Sequence, residues 1–168
     1  MPEELKVRKI ECGVVLDKLP PFTSITALKI LGLPYNRPEN SSEYVIIPLM
    51  NVESKSMGRK DILKIEGSRD LFSLVEKKSG ALALISEEIM INIIEDWKVV
   101  QKYHPNVPNH IIGLVNCPHY NCITNKSKEG NDNYSTKFEV IQKMPLEIEC
   151  IYCHTRLKRR EILENLIV

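Results

Sequence analysis

Apolar positions along the chain gather into short runs rather than into one long amphipathic stretch. Glu43–Leu49 (Glu-Tyr-Val-Ile-Ile-Pro-Leu) and Ile62–Ile65 are short and rich in β-branched residues, and both predict strands. From Met90 to Lys102, two apolar stretches flank the polar Glu95-Asp96, a pattern that predicts a β-hairpin. Ser24–Gly32 opens on a serine able to accept N–H bonds, carries apolar residues at 25, 28 and 31, and closes on glycine, so it predicts a helix. Leu71–Ile85 stays open between helix and loop: Leu74, Val75, Leu82 and Ile85 partly suit a helix that Ser79-Gly80 interrupts.

Further along, Tyr103–Asn109 (Tyr-His-Pro-Asn-Val-Pro-Asn) breaks both helix and sheet. It is expected to be a linker at 103–109, separating a module over 1–102 from one over 110–168. In the second module Asn125–Ser135 is almost all loop-forming, and Phe138–Gln142 and Leu146–Cys150 predict strands that turn at Met144-Pro145. A module this short and polar is marginal on hydrophobic burial alone and calls for a metal or disulfides.

A length of 168 residues allows one domain or two small ones. With 23 Lys+Arg against 22 Asp+Glu, the net charge of +1 excludes an acidic tail and a generally basic coat for nucleic acid. No apolar run approaches the roughly 18 residues of a membrane-spanning helix, and the polar start does not read as a secretion signal. A cytoplasmic protein without a membrane partner is expected. The sequence has no G-x-G-x-x-G and no G-x-x-x-x-G-K-S/T, so a nucleotide would have to be held in another way.

Cysteine placement changes the picture most. Cys12 stands alone, whereas Cys117-x4-Cys122 and Cys150-x2-Cys153 form two close pairs in the last third of the chain. Two such pairs present four thiolates tetrahedrally to zinc. Two disulfides are the competing reading, disfavoured in a reducing compartment. His119 and His154 neighbour the cysteines and could each replace one, although four sulfurs make that unnecessary. Such a metal has no open position for water, and it folds a domain rather than catalysing a reaction. Arg156, Lys158, Arg159 and Arg160 form a basic run, but Glu161 and Glu164 offset it and aromatic residues are sparse. A solvated face or a polar interface is the expected role, ahead of nucleic-acid binding.

Four segments in this order carry a specific resemblance: Gly13–Pro20, Met57–Glu66, Asn92–Lys102 and Cys117–Asn125. Together they resemble the regulatory chains of aspartate carbamoyltransferase over nearly the whole length. The resemblance implies an α+β chain. Its N-terminal domain would be a ferredoxin-like antiparallel sheet with two helices, the second over roughly Val75–Ile85, and its C-terminal domain a small β-rich zinc domain. It also implies a non-catalytic subunit that binds CTP, ATP or UTP, pairs with a second regulatory chain, and docks its zinc domain on the catalytic chain. The absence of any histidine in the first module is in keeping with this.

Carried over residue by residue, the resemblance implies effector-binding lysines at Lys64 and Lys102 and a ribose-binding acid at Asp17. Lys18 stands near the phosphates where some members have histidine. Ile10, Asn92, Ile94, Trp97 and Val99 are implied to form the base pocket, with Trp97 where many members have tyrosine. Arg8 would face the triphosphate, His104 replaces a basic position past Lys102, and Lys60, on an expected turn between strands, belongs either to a region that the family relates to a second nucleotide or to a simple polar turn. Cys12 matches no family site and reads as an unpaired thiol. His119, Tyr120 and Asn121, on the loop between two ligands, are implied to face the catalytic chain. A zinc-ribbon binder of nucleic acid and a small nucleotide-processing enzyme are the rival readings; near-neutral charge and the missing phosphate loop argue against them.

Overall fold

The computed structural model describes residues 8–34, 43–126 and 134–167. Of the loop expected at 125–135, residues 127–133 lie outside the described residues. The first sheet is built from β1 (Gly13–Leu19), β2 (Val45–Ser54), β3 (Gly58–Glu66), β4 (Met90–Glu95) and β5 (Lys98–Tyr103), in the spatial order β2-β3-β1-β4-β5 with every pair antiparallel. Helix α1 (Ser24–Leu31) joins β1 to β2, and helix α2 (Asp70–Leu82) joins β3 to β4. This is the split β-α-β arrangement that the resemblance implied.

Alternation along the strands decides which face the helices cover. Val14, Leu16, Leu63, Ile65, Ile91 and Ile93 point to one side, where they pack on Ala27, Leu28, Leu31, Leu71, Val75 and Leu82 from the helices. The opposite face carries Val15, Asp17, Lys60, Ile62, Lys64 and Asn92, and among the described residues no helix covers it. The strand expected over Glu43–Leu49 starts later and runs further, from Val45 past Leu49 to Ser54, and β2 and β3 close into a hairpin around residues 55–57.

The two helices show what local pattern misses. Gly32 closes α1 with a left-handed backbone (φ 71°), as expected. Ser24, however, does not cap through its own oxygen. Its hydroxyl and N–H both donate to the carboxylate of Asp61 on β3, so a distant acid serves the start of the helix. Helix α2 begins at Asp70, ahead of the expected Val75, where the acid suits the positive helix start, and its regular turns stop at Leu82. Gly80 sits inside the helix: a Cβ there would meet Pro108 Cδ at 3.3 Å, so glycine makes room for Pro108 rather than ending the helix.

The second sheet comprises β6 (His110–Ile112), β7 (Lys137–Lys143), β8 (Leu146–Cys150) and β9 (Arg156–Lys158) in that order, all antiparallel. A short helix α3 (Ile123–Lys126) follows the first cysteine pair, and α4 (Arg159–Glu164) follows β9. The core of this unit gathers Phe138, Ile148, Leu157 and Ile162 together with Ala83 and Leu84, which come from the end of α2 in the first unit.

Candidate functional site

Cross-strand register assembles the first candidate site. Lys64 pairs with Val15, Val15 with Asn92, and Asn92 with Lys102, so Lys64, Asn92 and Lys102 stand in one row on the face opposite α1 and α2. Asn92 Nδ2 donates to the Val15 carbonyl at 3.2 Å, which fixes its side chain within the row. One step along, β1 bulges between Leu16 and Leu19, and Lys18 takes a left-handed backbone (φ 57°). At the bulge, Asp17 Oδ1 accepts the Lys18 N–H at 2.8 Å and the Lys60 ammonium at 2.6 Å. The pair is partly shielded, with 18% of the Lys60 side chain and 30% of that of Asp17 exposed.

Segment 8–12 borders this face. The Lys64 ammonium donates to the Arg8 carbonyl at 3.2 Å, and the Arg8 guanidinium reaches Glu66 at 3.4 Å. The Gly67 N–H donates to Cys12 O and the Trp97 N–H to Glu11 O, both within 3.1 Å. Ile10 and Ile94 are buried, while Val99 and Trp97 are half exposed or more. Trp97 sits with Asp96 at the tip of the β4–β5 hairpin, both left-handed (φ 66° and 49°). His104 lies apart, just past β5: its Nδ1 is 2.8 Å from the Ile89 carbonyl.

The second site is the cysteine cluster. Sγ atoms of Cys117, Cys122, Cys150 and Cys153 all lie within 4.8 Å of one another, and none forms a disulfide. The Cys117–Cys153 and Cys122–Cys150 separations are 3.5 and 3.8 Å. Sulfurs bound tetrahedrally at about 2.3 Å would lie about 3.8 Å apart, so the donor set fits one metal ion. His119 and His154 stay outside the cluster; His154 pairs instead with Glu149 at 3.0 Å. Burial pushes the thiols of Cys117 and Cys150 up. Burial also opposes ionisation of Cys153, but hydrogen bonds from Thr155 and the neighbouring thiols prevail and bring it down to about 6. Four crowded sulfurs can all ionise only beside a cation that offsets their charge, which is what a bound metal supplies.

Several residues that hold these sites escape a motif reading. Asn125 Nδ2 donates to the carbonyls of Cys117 (2.7 Å) and His119 (2.9 Å), bracing the loop that exposes His119, Tyr120 and Asn121. The Thr124 hydroxyl donates to Cys122 Sγ at 3.2 Å. Within the basic run, Arg156 pairs with Glu149 and Arg160 with Glu164, but Arg159 turns into the first unit. It donates to the carbonyls of Ala83 (3.3 Å) and Leu84 (3.0 Å) and pairs with Glu87. A polar interface was one expected role of this run; only the structure singles out Arg159, since an arginine's partner 75 residues away leaves no local trace.

Two families match the chain: "aspartate carbamoyltransferase regulatory chain, allosteric domain" over residues 5–106, and "aspartate carbamoyltransferase regulatory chain, metal binding domain" over residues 109–163. The aspartate carbamoyltransferase regulatory chain of Pyrococcus horikoshii is 40% identical over 166 residues, covering 99% of this chain and 100% of that one. Those of Methanopyrus kandleri (39% identical; 95% of this chain, 94% of that one) and Thermococcus sibiricus (36%; 98% and 99%) are similar over comparable lengths. The chain belongs to the family of aspartate carbamoyltransferase regulatory chains, with an allosteric and a metal-binding domain, and is a regulatory rather than a catalytic subunit. Among the described residues, no helix is long and apolar enough to cross a membrane.

Proposed function

We propose that the chain binds CTP, ATP and UTP-type nucleotides in its first domain and passes their effect through a zinc-ordered second domain to the catalytic chain of aspartate carbamoyltransferase. The observation that carries this reading is the row of Lys64, Asn92 and Lys102 on the sheet face opposite α1 and α2. Strands about 4.8 Å apart put the backbones of Lys64 and Lys102 about 14 Å apart, so two flexible ammonium groups can close on a ribose and its phosphates from either side. Lys18 and Arg8 add charge for the triphosphate, and Asp17 accepts ribose hydroxyls. Ile10, Asn92, Ile94, Trp97 and Val99 receive the base, where main-chain groups can read the exocyclic amine of cytosine or adenine. Lys60 serves a second nucleotide next to the first.

In this reading, residues 1–102 form the effector domain, 103–109 the linker and 110–168 the zinc domain. Zinc bound by Cys117, Cys122, Cys150 and Cys153 supplies structural cross-linking only. Asn125 and the cysteines hold the loop from which His119, Tyr120 and Asn121 dock on the catalytic chain. A second regulatory chain pairs through the effector domain, and the assembly is cytoplasmic. Control requires that effector and substrate each favour one of two arrangements, a coupling of about 1–3 kcal/mol. Calorimetric titration of CTP and ATP into the metal-loaded chain, beside Lys102→Ala, tests the reading. Binding that the variant weakens, without hydrolysis, is expected; no binding of either nucleotide, alone or with the catalytic chain, overturns it.

A further inference from the structure

Consecutive residues of β3 hold the two ends of the β1–α1 loop from opposite sides of the sheet. Lys60 points to the open face and grips Asp17, just before the loop. Asp61 points to the helix side and grips Ser24, just after it. Asp61 is completely buried. Its Oδ2 accepts the Ser24 N–H at 3.0 Å and the Ser24 hydroxyl at 2.9 Å, and its Oδ1 accepts the Asn51 N–H at 2.7 Å. A buried carboxylate is costly unless donors surround it, and these three come from two separate elements, the first residue of α1 and the irregular part of β2. Thr23, which precedes α1, spends its hydroxyl on Pro20 O at 2.7 Å, so Asp61 takes over the task of a capping side chain.

Between these grips, Lys18 and Phe22 are left-handed (φ 57° and 65°), and Asn51, held by the same carboxylate, is left-handed too (φ 56°). Such conformations persist in residues other than glycine only where the surroundings impose them. The register of β1 against β3 shifts between Leu16 and Leu19, and Leu19 pairs directly with Asp61. The bulge that contains Lys18 is therefore anchored on its far side by Asp61.

We propose that Asp61 is a positioning residue for phosphate recognition: it touches no ligand, but fixes the β1 bulge from which Lys18 meets the triphosphate. This rests on the nucleotide reading above. In the full-length, metal-loaded chain, CTP affinity is measured for the wild type, Asp61→Asn, Lys18→Ala and the double variant, with thermal melting to verify folding. Asp61→Asn should weaken CTP binding about tenfold, and the double variant should bind no more weakly than the weaker single one, because both changes remove the same contact. A mere loss of stability would leave the two effects additive. If Asp61→Asn does not fold, the same cycle is run with Ser24→Ala, which keeps the backbone donor. Additive losses, or wild-type affinity in Asp61→Asn or Lys18→Ala, overturn the inference alone. A wild-type chain that binds no CTP overturns the nucleotide reading instead.

Discussion

The guanidinium of Arg159, at the start of α4, donates to the Leu84 carbonyl at 3.0 Å, just beyond the end of α2, and pairs with Glu87. A cation at a helix C-terminus suits the dipole there and satisfies carbonyls that the helix leaves unpaired. Removing it strips donors from carbonyls in a shielded place and leaves Glu87 without its counter-charge. Arg159→Ala should therefore lower the stability of the chain by about 2 kcal/mol, read as a drop in melting temperature. It should also weaken the control of catalytic activity by CTP while leaving CTP binding in place.

Metal removal has a local expectation. Cys117, Cys122 and Cys150 belong to the same core as Phe138 and Ile148, so extracting the ion by chelator, or Cys122→Ser, should loosen that core. Release of one metal ion per chain and loss of association with the catalytic chain, by sedimentation, should precede any loss of nucleotide binding.

Trp97 allows a test that separates strain from recognition. It is the sole tryptophan, half exposed, with φ 66° in a two-residue hairpin turn that glycine adopts without penalty. Trp97→Gly should raise stability by about 0.5–1 kcal/mol in denaturant titration. If the indole borders the base, the same variant should lose nucleotide affinity, and in the wild type CTP should alter tryptophan emission.

Cys12 gives a pH-dependent expectation. Burial, followed by the charge of Glu95, raises its thiol above the ordinary value. The folded chain thus favours the neutral thiol, and this contribution to stability is complete below about pH 8.5 and is lost as pH rises through the raised value. Reaction with a thiol reagent in the metal-loaded chain should involve one cysteine, proceed more slowly at pH 7 than with a free thiol, and accelerate above pH 9.

Elements with strong local chemistry were legible in the sequence: the α1 stripe closed by Gly32, the hairpin strands of β4–β5 and β7–β8, and the cysteine pairs. Helix α2 came from the resemblance and not from its local pattern, because Gly80 reads as a breaker until Pro108 is seen packed against it. The row Lys64–Asn92–Lys102 depends on strand register, and no single segment of sequence contains it. Asp61 and Arg159 were unreadable for the same reason, since their partners Ser24 and Leu84 lie far away along the chain.

Ala83 and Leu84 belong by sequence to the first unit but by packing to the core of the second. The order of synthesis then acquires a direction. The ribosome releases the end of α2 before it releases β6 to α4, so a folded first domain offers the later segment an apolar seat and two carbonyls for Arg159. A fragment beginning at residue 110 would lack that seat, and the metal alone would have to organise a core missing one wall.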